Sequence, residues 1–487
     1  MPRQAPVALA LLCSFACRSP SASTPPHAPP VTPTDQDPLT ALGRVEGSTF
    51  VEVAEAYADA SGRLIYCSAV RGLHVVDARN PLKLSVTSTH VPSLGGHGGL
   101  GGCQHLAVEG ERVFVTNRGN SFLGAPYIVG IDISGGSPTE FLTFRRGDTS
   151  FEGLAARGDR IYAAMHDDGL GVFAVEGDSL SEVSVLKEGI GSAWDVVLGE
   201  RHLYLADATG ALLIYELAES GPPRLLSRTP LPGTAQAMTL RGSTVYIAAG
   251  SAGVVVVEAA DPSAPRITAE LDTPGAAVEI AASDTHLFVA DWDTARVYDL
   301  VKPSTPTIVA VENIETDAPF SRVLGIAAHG KYAFIGEWTG MYAYELHAER
   351  TAPALALEST TMAFSAAGRE GLLVENHGTA PLRLEGFDVE GPGFAVEEAP
   401  SVLPPGGSRV LQVSYVPSGE AKAEGQLLIR SNDPDRGVVP VALKAGGGGV
   451  TVGVAAPETI LELLDGGTWK LSEQRGKVVL LAYFATF

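Results

Sequence analysis

The chain has 487 residues, 45% of them hydrophobic, and a formal net charge of −22 at pH 7. This acidic balance argues against a nucleic-acid partner, because affinity for the phosphate backbone comes from Lys and Arg. The length predicts two to four domains at roughly 100–200 residues each, and 55 Gly with 33 Pro favour many short strands joined by turns.

Residues 1–17 have the pattern of a bacterial secretory signal, with an apolar run at 5–16 that is too short to span a bilayer. The segment SFAC, which ends at Cys17, resembles a lipobox whose cysteine would be diacylated, although Phe15 departs from that pattern. We therefore predict a cell-envelope lipoprotein, with plain secretion and a cytoplasmic location as alternatives. Residues 18–37 are rich in Pro, Ser and Thr and are predicted to form an extended tether.

Four cysteines are present, and Cys13 would leave with the signal peptide. Cys67 and Cys103 then remain in the mature chain. An envelope or extracellular location permits a disulfide between them. The alternative is two unpaired cysteines in the core.

Residues 38–350 contain a repeat. Apolar segments with a central aromatic recur every 42 to 48 residues, at Tyr66, Phe114, Tyr162, Tyr204, Tyr246, Phe288 and Phe334. Each unit has four short strands, A to D, and the aromatic lies in strand B. Strand A carries an apolar residue eight positions before the aromatic, at Leu106, Leu154, Val196, Met238, Ile280 and Ile326. Several strands per unit at this period predict a β-propeller, counted here as seven blades, with six or eight as alternatives.

The segments GLHVVDARNPLKL and GVVVVEAADPSAPRI resemble LVIVD repeats, which build β-propellers in bacterial surface and secreted proteins. The resemblance is strongest in the first, fifth and sixth units and weakest in the third, fourth and seventh. Residues 38–47 also resemble a strand D, and this predicts that the N-terminal strand completes the last blade.

Strand order places the B–C and D–A connections on one face of a propeller. The three longest connections are of these types, and inserts in repeats often gather on the binding face. We predict a ligand site at the channel mouth on this face, formed by His105, Glu152, Asp195, Glu279, Trp194, Trp292 and Trp338. Gln104, Gln236, His166 and Asp168 are predicted on the same face. The alternative is a water-filled channel lined by solvated side chains.

No cofactor is predicted. His97, Cys103 and His105 are potential metal ligands in a Gly-rich loop, but their spacing matches no standard pattern and no fourth ligand is evident. The sequence also lacks a G-x-S-x-G elbow, an H-E-x-x-H motif and a G-x-G-x-x-G that opens a helix.

Residues 352–447 have short strands separated by Gly, Pro and Asn, which predicts a β-sandwich. The segments ENHGTAPL, LPPG and SNDP resemble Ig-like domains of the ASH and choice-of-anchor D type. Such modules serve as spacers or binding surfaces. Asp433 and Asp435 resemble calcium ligands, but an Asn-Asp-Pro turn explains them as well.

Residues 448–487 resemble the opening of a thioredoxin-like redoxin domain. The resemblance rests on Ala456-Pro457, a hairpin at Asp465-Gly466-Gly467, Trp469, and Arg475-Gly476-Lys477 before an apolar strand. The redox cysteines of that family would follow Phe487, so no catalytic residue is assigned here. This fragment is expected to pack loosely or to pair with a neighbouring sheet edge.

The sequence thus predicts an all-β chain: a seven-bladed propeller, an Ig-like β-sandwich and an incomplete thioredoxin-like fragment. The first hypothesis for its role is an envelope-anchored or secreted scaffold that binds a protein or a small ligand. The second is a thiol-disulfide oxidoreductase or peroxiredoxin-like protein whose cysteines lie beyond residue 487, and the third is a propeller enzyme that depends on a metal or ligand. A nucleic-acid partner is not expected, and the membrane is contacted by the lipid anchor alone.

Overall fold

The computed structural model describes most of the chain from residue 38 onwards, in the ranges 38–45, 53–94, 102–119, 125–218, 221–292, 294–313, 322–347, 352–364, 367–417, 423–434, 436–445, 460–462 and 468–474. The predicted signal peptide, the tether and Cys17 lie outside these ranges. The regular secondary structure of the described residues is β-strand, apart from one 3₁₀ helix. In it, no helix combines the length and apolar character that crossing a bilayer requires.

The first part of the described chain, residues 38–347, consists of short strands. They are β1 (Leu39–Val45), β2 (Val53–Ala58), β3 (Arg63–Ser68), β4 (Gly72–Asp77), β5 (Ser85–His90), β6 (His105–Glu109), β7 (Arg112–Asn117), β8 (Tyr127–Asp132), β9 (Thr139–Phe144), β10 (Leu154–Arg157), β11 (Arg160–Ala164), β12 (Leu170–Glu176), β13 (Ser179–Leu186), β14 (Ala193–Leu198), β15 (His202–Asp207), β16 (Ala211–Glu216), β17 (Arg224–Pro230), β18 (Ala237–Arg241), β19 (Thr244–Ala248), β20 (Val254–Glu258), β21 (Arg266–Leu271), β22 (Glu279–Ala282), β23 (His286–Asp291), β24 (Thr294–Asp299), β25 (Thr307–Asn313), β26 (Gly325–His329), β27 (Tyr332–Gly336) and β28 (Met341–Leu346).

These strands form seven four-stranded antiparallel sheets within residues 38–347 as described. Sheets 1 to 6 are β2–β5, β6–β9, β10–β13, β14–β17, β18–β21 and β22–β25, and sheet 7 contains β26, β27, β28 and β1. The N-terminal strand β1 pairs with β28, from Leu39 opposite Leu346 to Val45 opposite Met341. Within the predicted segment 38–47, residues Leu39–Val45 thus complete the last sheet, as expected from the sequence.

The first strand of each sheet, strand A, lies beside strand A of the next sheet. Contacts connect β2, β6, β10, β14, β18, β22 and β26 in this order, and β26 contacts β2 again. The sheets therefore form a closed ring with the A strands on the inside. Each sheet is therefore covered on both faces by its neighbours, which buries apolar surface that one sheet alone would expose.

The core of the ring lies between neighbouring sheets. All seven repeated aromatics of strand B are buried, at 9% exposure or less, and the six apolar residues of the strand A column are 2% to 5% exposed. Between sheets 5 and 6, for example, Tyr246 packs in one cluster with Ile280 and Val289. The repeated apolar positions are thus the contacts that stack one sheet on the next.

The chain after residue 352 forms two further sheets that share one core. Their strands are β29 (Leu355–Leu357), β30 (Thr361–Phe364), β31 (Gly368–Asn376), β32 (Leu382–Glu390), β33 (Phe394–Val396), β34 (Ser401–Leu403), β35 (Ser408–Tyr415), β36 (Ala423–Ser431) and β37 (Val438–Ala445). One sheet has the order β29-β31-β35-β33 and the other β30-β37-β36-β32-β34. Val374 and Leu411 from the first sheet pack with Leu427 and Val441 from the second.

A hairpin is described within the region that resembles a redoxin. Strand β38 (Ile460–Glu462) pairs antiparallel with β39 (Thr468–Lys470), and a 3₁₀ helix (Leu471–Gln474) follows. The strands flank the predicted Asp465-Gly466-Gly467 turn, and so the hairpin is confirmed. The packing of residues 448–487 as a whole stays a prediction.

A buried arginine connects the ring to the C-terminal sheets. Arg296, in β24, is 1% exposed. Its Nε lies 2.9 Å from Oδ2 of Asp291 in the ring, and its Nη2 lies 2.8 Å from Oε1 of Glu375 in β31. Gly406 also lies against Ile308 of β25, so that a side chain at position 406 would collide with it. The two parts of the chain are therefore joined by a buried polar contact.

Candidate functional site

The B–C turns and the entries to strand A lie on the same face of the ring, as predicted. Three isolated bridges join a B–C turn to the start of strand A in the next sheet: His166 with Ala193, Gly250 with Ala277, and Trp292 with Val323. We call this face the mouth face. His105, Glu152, Asp195, Glu279 and the three predicted tryptophans all lie in segments that belong to it.

His105, the first residue of β6, lies between two carboxylates. Its Nδ1 is 3.1 Å from Oε2 of Glu55, and its Nε2 is 3.0 Å from Oε2 of Glu152. The same Glu55 oxygen accepts the backbone N–H of Leu106 at 2.9 Å. Ionised carboxylates only accept hydrogen bonds, so both ring nitrogens of His105 donate and the ring is an imidazolium.

The electrostatics of this group agree with a charged His105. Burial alone would lower the pKa of His105, but its hydrogen bonds with Glu152 and Glu55 outweigh burial and raise the pKa to about 10. Burial raises the pKa of Glu152, whereas hydrogen bonds from His105 and His166 lower it, and the result is a pKa of about 2. Glu152 has no exposed surface. Its carboxylate therefore stabilises neighbouring side chains from within the fold.

The channel enclosed by the A strands contains a cavity of about 320 Å³. Its walls come from strand A of all seven sheets, and its polar lining consists of Glu55, His105, Asp195, Gln236 and Glu279, together with Tyr57 and Thr239. The structure thus places His105, Asp195 and Glu279, three of the residues named from the sequence, in the lining of one cavity. Among the described residues, Glu152 and the three tryptophans do not line this cavity.

Asp195 also connects two neighbouring sheets of the ring by hydrogen bonds. Its Oδ1 accepts the N–H of Val196 at 2.7 Å, and its Oδ2 accepts the N–H of Met238, in strand A of the next sheet, at 2.8 Å. Glu55 makes the equivalent contact with Leu106. Carboxylates at the entry of strand A therefore connect one sheet to the next, which explains part of this acidic pattern without a ligand.

The titration of Asp195 provides a direct test of its environment. Burial raises the pKa of Asp195 to about 6 from 3.8, and the charge of Glu55 adds to this effect. The stabilisation associated with protonated Asp195 is then present below the unfolded pKa of 3.8 and lost as the pH rises through about 6. Carbon-13 NMR should show a midpoint near 6, and a lower one in Glu55→Gln. If the folded wild type showed the midpoint of an exposed aspartate, Asp195 would not lie buried among other carboxyl groups.

Burial also raises the pKa of Glu279, and the charges of Glu55 and Asp195 contribute. Its Oε1 accepts the N–H of Ile280 at 2.9 Å. Burial is the largest cause of both raised pKa values, and the negative charges of the other carboxyl groups in the channel add to it. The channel lining therefore holds protons at a pH where an exposed carboxyl would be ionised.

The three predicted tryptophans are half-buried on the mouth face. Trp194 packs edge-to-face on His166, with 5.1 Å between ring centroids, and the Arg322 guanidinium lies 6.0 Å from the Trp292 ring. Trp338 lies in the B–C turn of sheet 7. This face therefore presents the exposed parts of three indole rings, a residue type that is enriched at interfaces.

The remaining predicted polar residues have local partners. His166 Nε2 lies 2.7 Å from Oε1 of Glu152, and Gln104 Oε1 accepts the N–H of Arg118 at 2.9 Å. Asp168 accepts a hydrogen bond from Thr149 Oγ1 at 2.7 Å and pairs with Lys187 at 3.1 Å. In the structure, His166 therefore belongs to the Glu152 cluster and Asp168 to a separate surface ion pair.

No metal centre is found in the part of the chain that the structure describes, where no three His, Cys, Asp or Glu side chains have an arrangement that would hold an ion. His97, one of the three potential ligands in the Gly-rich loop, and Asp435, the second potential calcium ligand, lie outside the described residues. Asp433 Oδ2 accepts the N–H of Leu355 at 2.6 Å, and Asp433 Oδ1 accepts that of Arg436 at 2.9 Å. These two contacts fit a turn in which Asp433 holds together neighbouring backbone segments of the two C-terminal sheets.

A disulfide joins Cys67 and Cys103 in the structure. Cys67 lies in β3 of sheet 1, and Cys103 lies two residues before His105, which begins β6 of sheet 2. Both are fully buried. The bond therefore links neighbouring sheets beside the channel.

Replacing both cysteines by Ala should lower the free energy of unfolding by about 2–4 kcal/mol, because the bond closes a loop of 36 residues in the unfolded chain. Urea unfolding with and without a reductant measures this effect. Reductant should destabilise the wild type and leave the double variant unchanged. If the wild type and the double variant were equally stable without reductant, the two cysteines would be unpaired.

Two residues of this site were not predicted from the sequence. Glu55 follows a β-bulge between Val53 and Glu55, as Asp195 follows one between Ala193 and Asp195. Arg118, whose Nη1 lies 3.8 Å from Oε1 of Glu152, directly follows strand B of sheet 2. A carboxylate in the otherwise small-residue strand VAEAYA was the one available signal for Glu55.

The LVIVD repeat family matches residues 190–215 and 232–273. The second match contains GVVVVEAADPSAPRI, and the first falls in the fourth unit, where the sequence resemblance is weak. The segment GLHVVDARNPLKL lies outside both matches. No curated protein matches the chain.

Solved structures with similar folds include the β-propeller domain of Cps50 (Swd1) from Myceliophteria thermophila, with 11% identity and a TM-score of 0.50 over 63% of this chain and 100% of that one. The WD40 β-propeller domain of Doa1 is similar at 10% identity and a TM-score of 0.49, over 63% of this chain and 97% of that one. At these identities the Cps50 likeness concerns the fold alone. Together with the closed ring of sheets and the family matches, it identifies an all-β propeller protein that carries LVIVD repeats.

Proposed function

We propose that this chain is an envelope-anchored or secreted bacterial protein in which a seven-bladed propeller is an interaction scaffold. Its mouth face would bind a protein or a small ligand, and an Ig-like β-sandwich at 352–447 would act as a spacer or a second binding surface. Residues 1–17, with lipidated Cys17, and the tether at 18–37 would anchor it. Mass spectrometry of the mature N-terminus tests the anchor, and an unmodified terminus elsewhere would refute it.

The difference between the two faces of the ring carries this proposal. On the face of the A–B turns, exposed ion pairs join neighbouring sheets: Arg63 with Glu111 at 3.0 Å, Arg112 with Asp159 at 3.2 Å, and Arg241 with Asp284 at 3.0 Å. The mouth face instead presents half-buried indole rings. Aromatic side chains are enriched at protein interfaces, which favours this face over the other as a binding surface.

Photo-crosslinking from matched positions on the two faces tests the proposal. A benzoylphenylalanine at Asp167, which is exposed in a B–C turn, should give discrete crosslinked products in envelope extract. The control is the same residue at Asp284, whose side chain is 90% exposed in an A–B turn. Equal products from both positions, or products from Asp284 alone, would contradict a binding role for the mouth face.

The second candidate function is a thiol-disulfide oxidoreductase or peroxiredoxin-like protein. It is favoured by the resemblance of residues 448–487 to a redoxin and by the β38–β39 hairpin, which would be the first element of that domain. Sequencing the gene beyond codon 487 tests it. An in-frame C-x-x-C would support the redox function, and an immediate stop codon would remove it.

A further inference from the structure

The mouth face also brings together a serine, a histidine and a glutamate from three different segments. His166 Nε2 lies 2.7 Å from Oε1 of Glu152, and His166 Nδ1 lies 3.4 Å from Oγ of Ser192. Glu152 is fully buried, whereas His166 and Ser192 are partly exposed. The partly exposed hydroxyl, the half-buried imidazole and the buried carboxylate correspond to the nucleophile, the general base and the orienting group of hydrolases.

The acid fixes the proton on the histidine. Ionised Glu152 only accepts hydrogen bonds, so its contact requires that His166 Nε2 carries a hydrogen. In the neutral ring, Nδ1 is then an acceptor directed towards the hydroxyl of Ser192. The separation of 3.4 Å is long for a hydrogen bond, but such contacts in free enzymes often tighten when substrate binds.

The backbone holds these groups in place. His166 and Ala193 exchange two hydrogen bonds, of 3.1 and 3.0 Å, next to Ser192. The N–H groups of Gly191 and Ser192 both donate to Asp207, at 2.7 and 2.9 Å. His166 has a φ of +45°, an uncommon conformation for a residue other than Gly that often marks functional sites. The edge-to-face contact with Trp194 supports the imidazole from a further side.

We propose that Ser192, His166 and Glu152 form an acyl-transfer site that hydrolyses small carboxylic esters. Ser192 Oγ attacks the ester carbonyl, and its proton passes to His166 Nδ1. When the tetrahedral intermediate collapses, the C–O bond to the alcohol breaks, and the alcohol leaves with that proton. Water then attacks the acyl-serine by the same route, which releases the carboxylic acid and restores Ser192. Glu152 is a positioning residue that acts through His166.

Labelling of the full chain with a fluorophosphonate, followed by peptide mapping, tests the proposal. Ser192 should be modified, and p-nitrophenyl acetate should be cleaved faster than by buffer. General-base assistance is worth about 10²–10⁴ in rate, so Ser192→Ala and His166→Asn should each lose at least about 100-fold. The matched control is Ser251→Ala, an exposed serine in a B–C turn of the same face, which should keep the wild-type rate.

Glu152→Gln adds a readout that simple loosening of the fold does not produce. The rate of labelling should fall, because an amide that can donate as well as accept no longer fixes the hydrogen on His166 Nε2, and Glu152→Asp, which keeps a carboxylate acceptor, should recover part of the rate. Circular dichroism verifies that each variant is folded. Absence of modification at Ser192 in the folded wild type, or an undiminished ester cleavage rate in Ser192→Ala, would overturn the proposal. Because crosslinking from Asp167 does not depend on Ser192, either proposal can fail alone.

Discussion

Arg296→Ala is expected to lower the free energy of unfolding by about 3–5 kcal/mol. In the wild type, the buried guanidinium lies between Asp291 and Glu375, and its Nη1 is 3.4 Å from the carbonyl oxygen of Gly406. Truncation removes the guanidinium from two buried carboxylates, of which Glu375 keeps its 3.1 Å contact with His377 Nε2. Leaving buried charge without its cationic partner is costlier than the loss of the ion pairs themselves. Urea unfolding followed by circular dichroism measures the loss. Cleavage between residues 347 and 352 by a protease should also become faster.

Two controls separate this effect from the general loss of an arginine. Arg241→Ala removes an exposed guanidinium from its pair with Asp284 and should cost at most about 1 kcal/mol. The triple variant Arg296→Met, Asp291→Asn, Glu375→Gln removes the unpaired charges and should recover much of the stability. If Arg296→Ala were as stable as Arg241→Ala, the buried contact between ring and C-terminal sheets would be wrong.

The repeated part of the fold could be predicted from the sequence because each unit buries the same positions. The aromatics of strand B and the apolar column of strand A are local patterns, and all of them are buried in the structure. The closing strand β1 was also predictable, since its sequence resembles a strand D. The contact of Arg296 with Glu375 was not, because 79 residues separate the partners and Glu375 lies outside the repeat.

The candidate site was predicted in part for a similar reason. Strand order is sufficient to place His105, Glu152 and Asp195 on one face, but it does not show which side chains meet. Asp195 uses both carboxylate oxygens on backbone N–H groups, and this depends on a bulge between Ala193 and Asp195 that shifts the register. Bulges of this kind leave no clear signal in a single sequence. The pairing of Glu55 with His105 was missed for the same reason.

Glu152→Ala is expected to cost about 3–5 kcal/mol, because it removes a fully buried carboxylate from the half-buried imidazolium of His105 and leaves Glu55 as the remaining carboxylate partner. It also removes the acceptor for His166 Nε2. The matched control is Glu182→Ala, a partly exposed carboxylate of sheet 3 that pairs with Arg146 at 2.7 Å. That variant should lose at most about 1 kcal/mol. Thermal and urea unfolding at neutral pH compare the two.

The pH dependence of stability distinguishes a lost charge pair from a simple cavity. The pKa of His105 is raised from 6.5 to about 10, so its contribution to stability is fully present below pH 6.5 and is lost as the pH rises through about 10. Glu152 supplies part of that shift, and Glu152→Ala should therefore lose less stability than the wild type over this interval. If both proteins lost the same free energy of unfolding between pH 6.5 and 10, Glu152 would not be what stabilises the charged form of His105. Glu182→Ala should follow the wild-type curve, because Glu182 is not a partner of His105.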